Sequence, residues 1–285
     1  MLITVLLVFE LWRQSALPRH KFGFSFFLTR VWDPIAEQFG ALPFIYGTLV
    51  TAAVALLLAV PLGIGAAIFL AELAPLRLSD PLQFLIDLLA AVPSVIYGFL
   101  GFFIVVPLMR EWIEPALKKS LGFLPLFQGP AYGIGFLTAG IVLAIMVIPY
   151  IISVSREVLL SVPRDQREAA LALGSTRWES TWKVVVPFAR SGIMGSIFLA
   201  LARALGETMA VTFVIGNAHR VGSSLLAPGT TISASIANEF AEAVGDLYTS
   251  SLVALGALLF FITFTVIAAA RLMLLRLDRR ALSSV

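Results

Sequence analysis

Apolar residues in this chain come in long unbroken blocks, not at the spacing of half-buried helices or strands. Five blocks are long enough to cross a bilayer core of about 30 Å at about 1.5 Å per residue. They are residues 43–70, 84–108, 132–153, 191–216 and 251–270, and each predicts a membrane helix. Small residues notch them: Gly47, Thr48, Thr51, Gly63 and Gly65 in the first, Gly133, Gly135 and Gly140 in the third. In lipid such residues let helices approach closely. Pro61 predicts a kink. Met1 to Leu11 is apolar up to Glu10 but too short to span, and reads as an incomplete first span, which makes six.

The polar stretches between the blocks predict the rest. Residues 12–42 carry Phe22, Phe24, Phe26, Phe27 and Trp32, a composition suited to an external loop at the membrane–water interface. Residues 109–131 mix charges, prolines and glycines and read as another loop. In the external segment 217–250, Thr230 or Thr231 can cap a helix whose Ile232, Ile236, Phe240 and Val244 form one apolar stripe. Residues 156–190 form a polar island. There Pro163 and Asp165 predict a helix start, and Gly174 a stop, for a short helix over roughly 164–173.

Composition removes the soluble alternative. The 285 residues are 59% hydrophobic and 13% charged, against about 45–50% and about 25% for a soluble domain. The net charge of +3 does not point to nucleic acid, because excess Lys and Arg marks loops kept on the cytoplasmic side. With the island inside, eleven basic residues fall on that side, including Arg271, Arg276, Arg279 and Arg280 of the tail, and eight on the other. Both termini are then cytoplasmic. The absence of cysteine and the presence of only two histidines, His20 and His219, exclude thiol chemistry and argue against a histidine-rich metal site. No G-x-x-x-x-G-K-[ST] loop occurs, so no ATP hydrolysis by that route is expected.

The chemically conspicuous residues are Arg203 and Glu207, inside the block 191–216. A mid-bilayer arginine costs about 2.5–3.5 kcal/mol on insertion scales, so it faces a partner or a watery path. On a continuous helix the two would share a face with Ser196, Ala200 and Ala210. One reading is a self-neutralising pair. The other is an anion site, since the guanidinium fork fits phosphate oxygens.

The island carries a pattern as well: Glu168, Ala169, Ala170, Gly174 and Pro187, with Val184 and Val186 where that pattern has Ile and Leu. This spacing resembles the EAA loop of bacterial ABC-importer permeases. The run Arg203-Ala204-Leu205-Gly206-Glu207-Thr208 and onward to Asn217 is similar to the fifth span of the PstC-type phosphate permease subfamily. The resemblance implies an all-α polytopic membrane bundle with the type I ABC importer permease (MetI-like) fold, in the bacterial cytoplasmic (inner) membrane. It implies the permease subunit of an ATP-driven phosphate importer. Arg203 and Glu207 would lie on the substrate pathway. Arg167, Glu168, Ala169, Ala170, Gly174 and Pro187 would couple to the ATPase. Implied partners are a second homologous permease (PstA-like), two ATPase subunits (PstB-like) that bind ATP and Mg, and an external phosphate-binding protein (PstS-like). Another oxyanion importer (sulfate, molybdate or phosphonate) and a passive anion channel are the alternatives.

Overall fold

The computed structural model describes the backbone of residues 2–282, leaving out the side chains of Leu76 and of residues 273–282. Met1 and the side chains of Arg276, Arg279 and Arg280, part of the expected basic tail, therefore lie outside the described residues. Helix α1 (Leu2–Gln14) is 13 residues long with none buried, too short by itself to cross the membrane. Helix α2 (Ala16–Phe22) and a single turn at Ser25–Leu28 lead to a hairpin, β1 (Trp32–Asp33) against β2 (Gln38–Phe39).

Among the described residues five helices are long and apolar enough to cross a membrane. They are α3 (Leu42–Leu73), α5 (Ser94–Leu121), α6 (Phe136–Leu160), α8 (Arg177–Gly206) and the apolar part, Asp246–Leu272, of α11 (Asp246–Leu282). The shorter elements are α4 (Leu76–Ala90), α7 (Arg164–Ala172), α9 (Met209–Ile215) and α10 (Ile232–Glu239).

The expected block 84–108 is two helices, not one. Proline disfavours the helical region for the residue before it, and ahead of Pro93 the helix ends at Ala90 and restarts at Ser94. Nor is the stretch from residue 109 a loop: α5 runs on to Leu121 through Arg110, Glu111 and Lys118. Glu114 on this helix is fully buried, and its Oε2 accepts the Gly133 amide at 3.2 Å.

Four prolines in the chain share a local solution. The residue before each donates to the carbonyl five positions back: Ala74 to Phe69, Val106 to Gly101, Glu114 to Met109 and Val186 to Thr181. Proline cannot donate, and its ring collides with the carbonyl four residues earlier. One wide turn per proline absorbs that collision. At Pro107, Pro115 and Pro187 the helix then continues; at Pro75 it stops.

The chain divides into two compact units. The first comprises Met1–Val54, Ser94–Leu143 and Leu205–Thr265. Its core contains Phe26, Trp32, Phe39, Phe44, Ile232 and Leu255. Trp32 stands edge-on to Phe39 and Phe44, with centroids 4.8 and 4.6 Å away. The aromatic stretch expected as an interfacial loop is therefore divided: Phe26 and Trp32 are protein core, while Phe24 and Phe27 stay exposed. Burying the rings of Phe26 and Trp32 removes about 150–250 Å² each from solvent, which outweighs any interfacial preference. In the same unit Gly47 brings two backbones together: a Cβ there would lie 1.8 Å from the Thr230 carbonyl oxygen. The Thr231 hydroxyl caps α10 by accepting the Ala234 amide. The expected stripe is only half used, because Ile232 is buried while Phe240 and Val244 are exposed, at 48% and 87%.

The second unit comprises Ala55–Pro93, Ala144–Ala204 and Val266–Val285. Its core packs Ala67, Ile68 and Leu70 with Ile152, Leu159, Val185 and Ile193. Gly63 is a packing notch here, since a Cβ would stand 2.7 Å from an Ile151 methyl. Polar ties bind α4 to α6. Ser153 donates to Asp87 at 2.6 Å, and Arg156 reaches the Ser79 hydroxyl at 3.1 Å.

Candidate functional site

Arg203 lies in the last turn of α8. One and two turns earlier on the same face, Ala200 and Ser196 are fully buried. Ser155 on α6 donates to the Ser196 hydroxyl at 2.7 Å, whose own proton goes to the Ile193 carbonyl. Where this stripe reaches Arg203 it opens. The guanidinium is exposed, and its Cζ stands 6.0 Å from the centre of the Tyr150 ring, the outer range of a cation–π contact.

Glu207 is not one helical turn beyond Arg203, as a continuous helix would have it. The helix ends at Gly206 and resumes at Met209. Glycine is the poorest ordinary helix former, and the Glu207 carboxylate has a local use outside the helix. Its Oε1 accepts the Ala210 amide at 3.2 Å, in the first turn of α9, where the helix dipole favours negative charge. The self-neutralising i,i+4 pair therefore gives way to an exposed arginine and a carboxylate capping the next helix. A discontinuous membrane helix is a recurring device for presenting polar groups to a transported ion.

The polar island folds as its residues dictate. Pro163 precedes α7 and Asp165 lies in its first turn. At its end Gly174 takes φ +86°. The Ser175 amide returns to Ala170, and the Gly174 amide to Leu171, a Schellman closure that needs the left-handed residue. Glu168, Ala169, Leu173 and Gly174 are exposed, Leu173 at 88%, while Ala170 is buried. Pro187 is exposed just beyond the wide turn Thr181–Val185. Arg167 turns the other way: only 20% of its side chain is exposed, and it pairs with Glu72 at 2.8 Å. The reciprocal Thr176–Glu179 capping box that starts α8 is a Thr-x-x-Glu signal legible in sequence.

Two further features lie outside the expected set. An open apolar groove of about 370 Å³, lined by Pro61, Gly65, Phe69, Trp178 and Trp182 among others, offers nothing to an anion. In the first unit, Glu239 gathers three donors: Trp32 Nε1 at 2.8 Å, Tyr248 Oη at 2.7 Å and His219 Nε2 at 3.0 Å. Burial pushes its carboxyl up, but the bonds from His219, Tyr248 and Trp32 outweigh that and hold it below the usual value.

This fold and this loop define a membrane-embedded import permease. Residues 59–282 match the family described as binding-protein-dependent transport system inner membrane component, and the chain belongs to that family. Solved relatives share the fold. The match to a bacterial ABC transporter that imports alginate has TM-score 0.60 at 16% identity, covering 96% of this chain and 95% of that one. The match to the inward-facing MetNI methionine ABC transporter has TM-score 0.55 at 17% identity, covering 85% and 98%. The chain thus has the type I ABC importer permease fold and is an inner membrane component. Among curated proteins, the phosphate transport system permease protein PstC of Mesorhizobium japonicum is 56% identical over 91% of this chain and 80% of that protein. The protein of that name from Pasteurella multocida is 51% identical over 91% and 82%. The probable counterpart from Methanocaldococcus jannaschii is 43% identical over 88% and 82%.

Proposed function

We propose that this chain is the permease subunit of an ATP-driven importer of inorganic phosphate and supplies half of the translocation path. The reading is carried by its 56% identity, over 91% of the chain, to a permease named for phosphate transport. Arg203 supplies the chemistry: a permanently charged fork, exposed and lightly held, able to bind phosphate oxygens bidentately. Glu207 lines the same path at the helix break. A second homologous permease completes the pore, two ATPase subunits bind ATP and Mg, and an external binding protein delivers phosphate. The island faces the cytoplasm, as do both termini. The exposed face of α7 with Glu168, Ala169 and Gly174, together with Pro187, meets the ATPase. This chain is non-catalytic. Closure of the ATPases biases the spans between inward and outward openings through contacts that differ in the two states.

The test is uptake of labelled phosphate by cells carrying only this transporter. Unlabelled phosphate competes and sulfate, molybdate and phosphonate do not. Competition by sulfate but not phosphate refutes the cargo. Arg203→Gln abolishes uptake while the ATPase still copurifies; full uptake by that variant makes the arginine structural. Transport that survives bulky replacement of Gly174 and charge reversal of Glu168 indicates a passive channel.

A further inference from the structure

We infer that Arg167 and Glu72 form the strut that carries movement of α7 into the membrane spans, and that Arg167 does not itself touch the ATPase. The inference rests on the reading of α7 as the docking helix and adds how its motion is transmitted.

The geometry is that of a nearly saturated clamp. An arginine has five N–H donors. Nε–H points at both Glu72 oxygens, 3.3 and 3.2 Å away. Nη2 donates to Glu72 Oε1 at 2.8 Å and to the Leu159 carbonyl at 2.7 Å. Nη1 donates to the Val162 carbonyl. Four of the five donors are thus spent inside the chain, and the Glu72 side chain is only 10% exposed. Little of the guanidinium is left for another subunit.

Three elements meet at this point. Glu72 belongs to the wide turn that closes α3, Leu159 lies in the last turn of α6, and Val162 is two residues beyond its end. Arg167 itself sits in the middle of α7. The clamp matters because, apart from its packing on the first turns of α8 (Arg177–Ser180 and Thr181–Val185), α7 has little to hold it. Among the described residues of this nine-residue helix only Ala170 is buried, so apolar packing is slight. Its connections are short irregular segments, from Ser161 to Pro163 and from Leu173 to Thr176. A helix so tethered swivels when pushed. A bidentate, largely desolvated ion pair to one span and two carbonyl contacts near the end of another make it move with both. Lysine in place of Arg167 keeps the charge but loses the fork that reaches all three acceptors at once.

The experiment uses the whole transporter in proteoliposomes with its ATPase and binding protein, and reads phosphate moved per ATP hydrolysed. Arg167→Gln and Glu72→Gln each lower this ratio at least tenfold, with the ATPase still copurifying. The double variant is no worse than either single one, because both remove one strut. Arg167→Lys falls between. A wild-type ratio in either Gln variant overturns the inference. So does loss of ATPase copurification in Arg167→Gln, or a double variant whose loss is the product of the single losses. If phosphate is the wrong cargo, the unmutated transporter already fails; if the strut is wrong, only the variants speak.

Discussion

Replacing Glu239 tests whether the polar cluster holds the aromatic core of the first unit. Its carboxylate accepts from Trp32, Tyr248 and His219, and Trp32 is 7% exposed and packed edge-on against Phe39 and Phe44. Glu239→Ala leaves the indole N–H and the phenol without their acceptor. Leaving a buried donor unpaired costs about 1–3 kcal/mol, so the loss of this acceptor from the cluster costs about 3–5 kcal/mol. Glu239→Gln keeps one acceptor oxygen and the shape but turns an amide donor toward other donors, which costs about 1–3 kcal/mol. At about 2 °C per kcal/mol for a long chain, the alanine variant melts roughly 6–10 °C lower and the glutamine variant roughly 2–6 °C lower. The assay is thermal unfolding of the purified protein in detergent, followed by tryptophan fluorescence. The pH dependence adds a sign. The Glu239 carboxyl sits below its ordinary value in the fold. Its stabilisation is therefore complete above the unfolded pKa of about 4.3 and is lost as pH falls through the folded value. The gap between wild type and Glu239→Gln persists from pH 8 to pH 5 and closes as pH falls below about 4. An alanine variant that melts within about 1 °C of wild type, or a gap that widens in acid, refutes the reasoning.

Two further perturbations have defined outcomes. Gly47→Ala places a methyl 1.8 Å from the Thr230 oxygen, so a backbone must shift, at about 1–3 kcal/mol; proteolysis near residue 230 accelerates, and unchanged cleavage and melting would disprove the close approach. Gly174→Ala forces a side chain into φ +86° at about 1–2 kcal/mol. Open space surrounds it, so the cost is local: the Ser175 amide exchanges roughly ten times faster, Gly174→Asn is milder, and equal exchange in all three contradicts the Schellman closure.

Much of this was legible in the residues, and the failures share a cause. The short helix at 164–173 with its glycine stop, the Thr231 cap and the glycine notches at Gly47, Gly63 and Gly140 follow from local chemistry and are found in the structure, whereas Gly65 faces open space and Gly133 and Gly135 precede their helix. The break at Pro93 was equally local, but a continuous apolar block hid it. What escaped depends on partners distant in sequence. Trp32 and Glu239 are 207 positions apart, and Arg167 and Glu72 are 95 apart. No periodicity announces either pair. The aromatic stretch near residue 30 has a composition that suits a membrane interface and a protein core equally well. The interruption after Gly206 was the hardest, because Glu207 looks like a helical residue until the amide it caps is known.

The wide turns before Pro107, Pro115 and Pro187 each let one extra residue into a helix that then continues. An α-helix advances about 100° per residue. Everything beyond such a turn is therefore rotated by about that much from where simple counting would put it. Shortening the stretch ahead of Pro187 by one residue would re-aim the whole run to Gly206 and swing Arg203, with its neighbours on that run, to another quadrant without changing the identity of any of them. In this chain the orientation of a distant cation is set by the slack that proline demands some sixteen residues earlier.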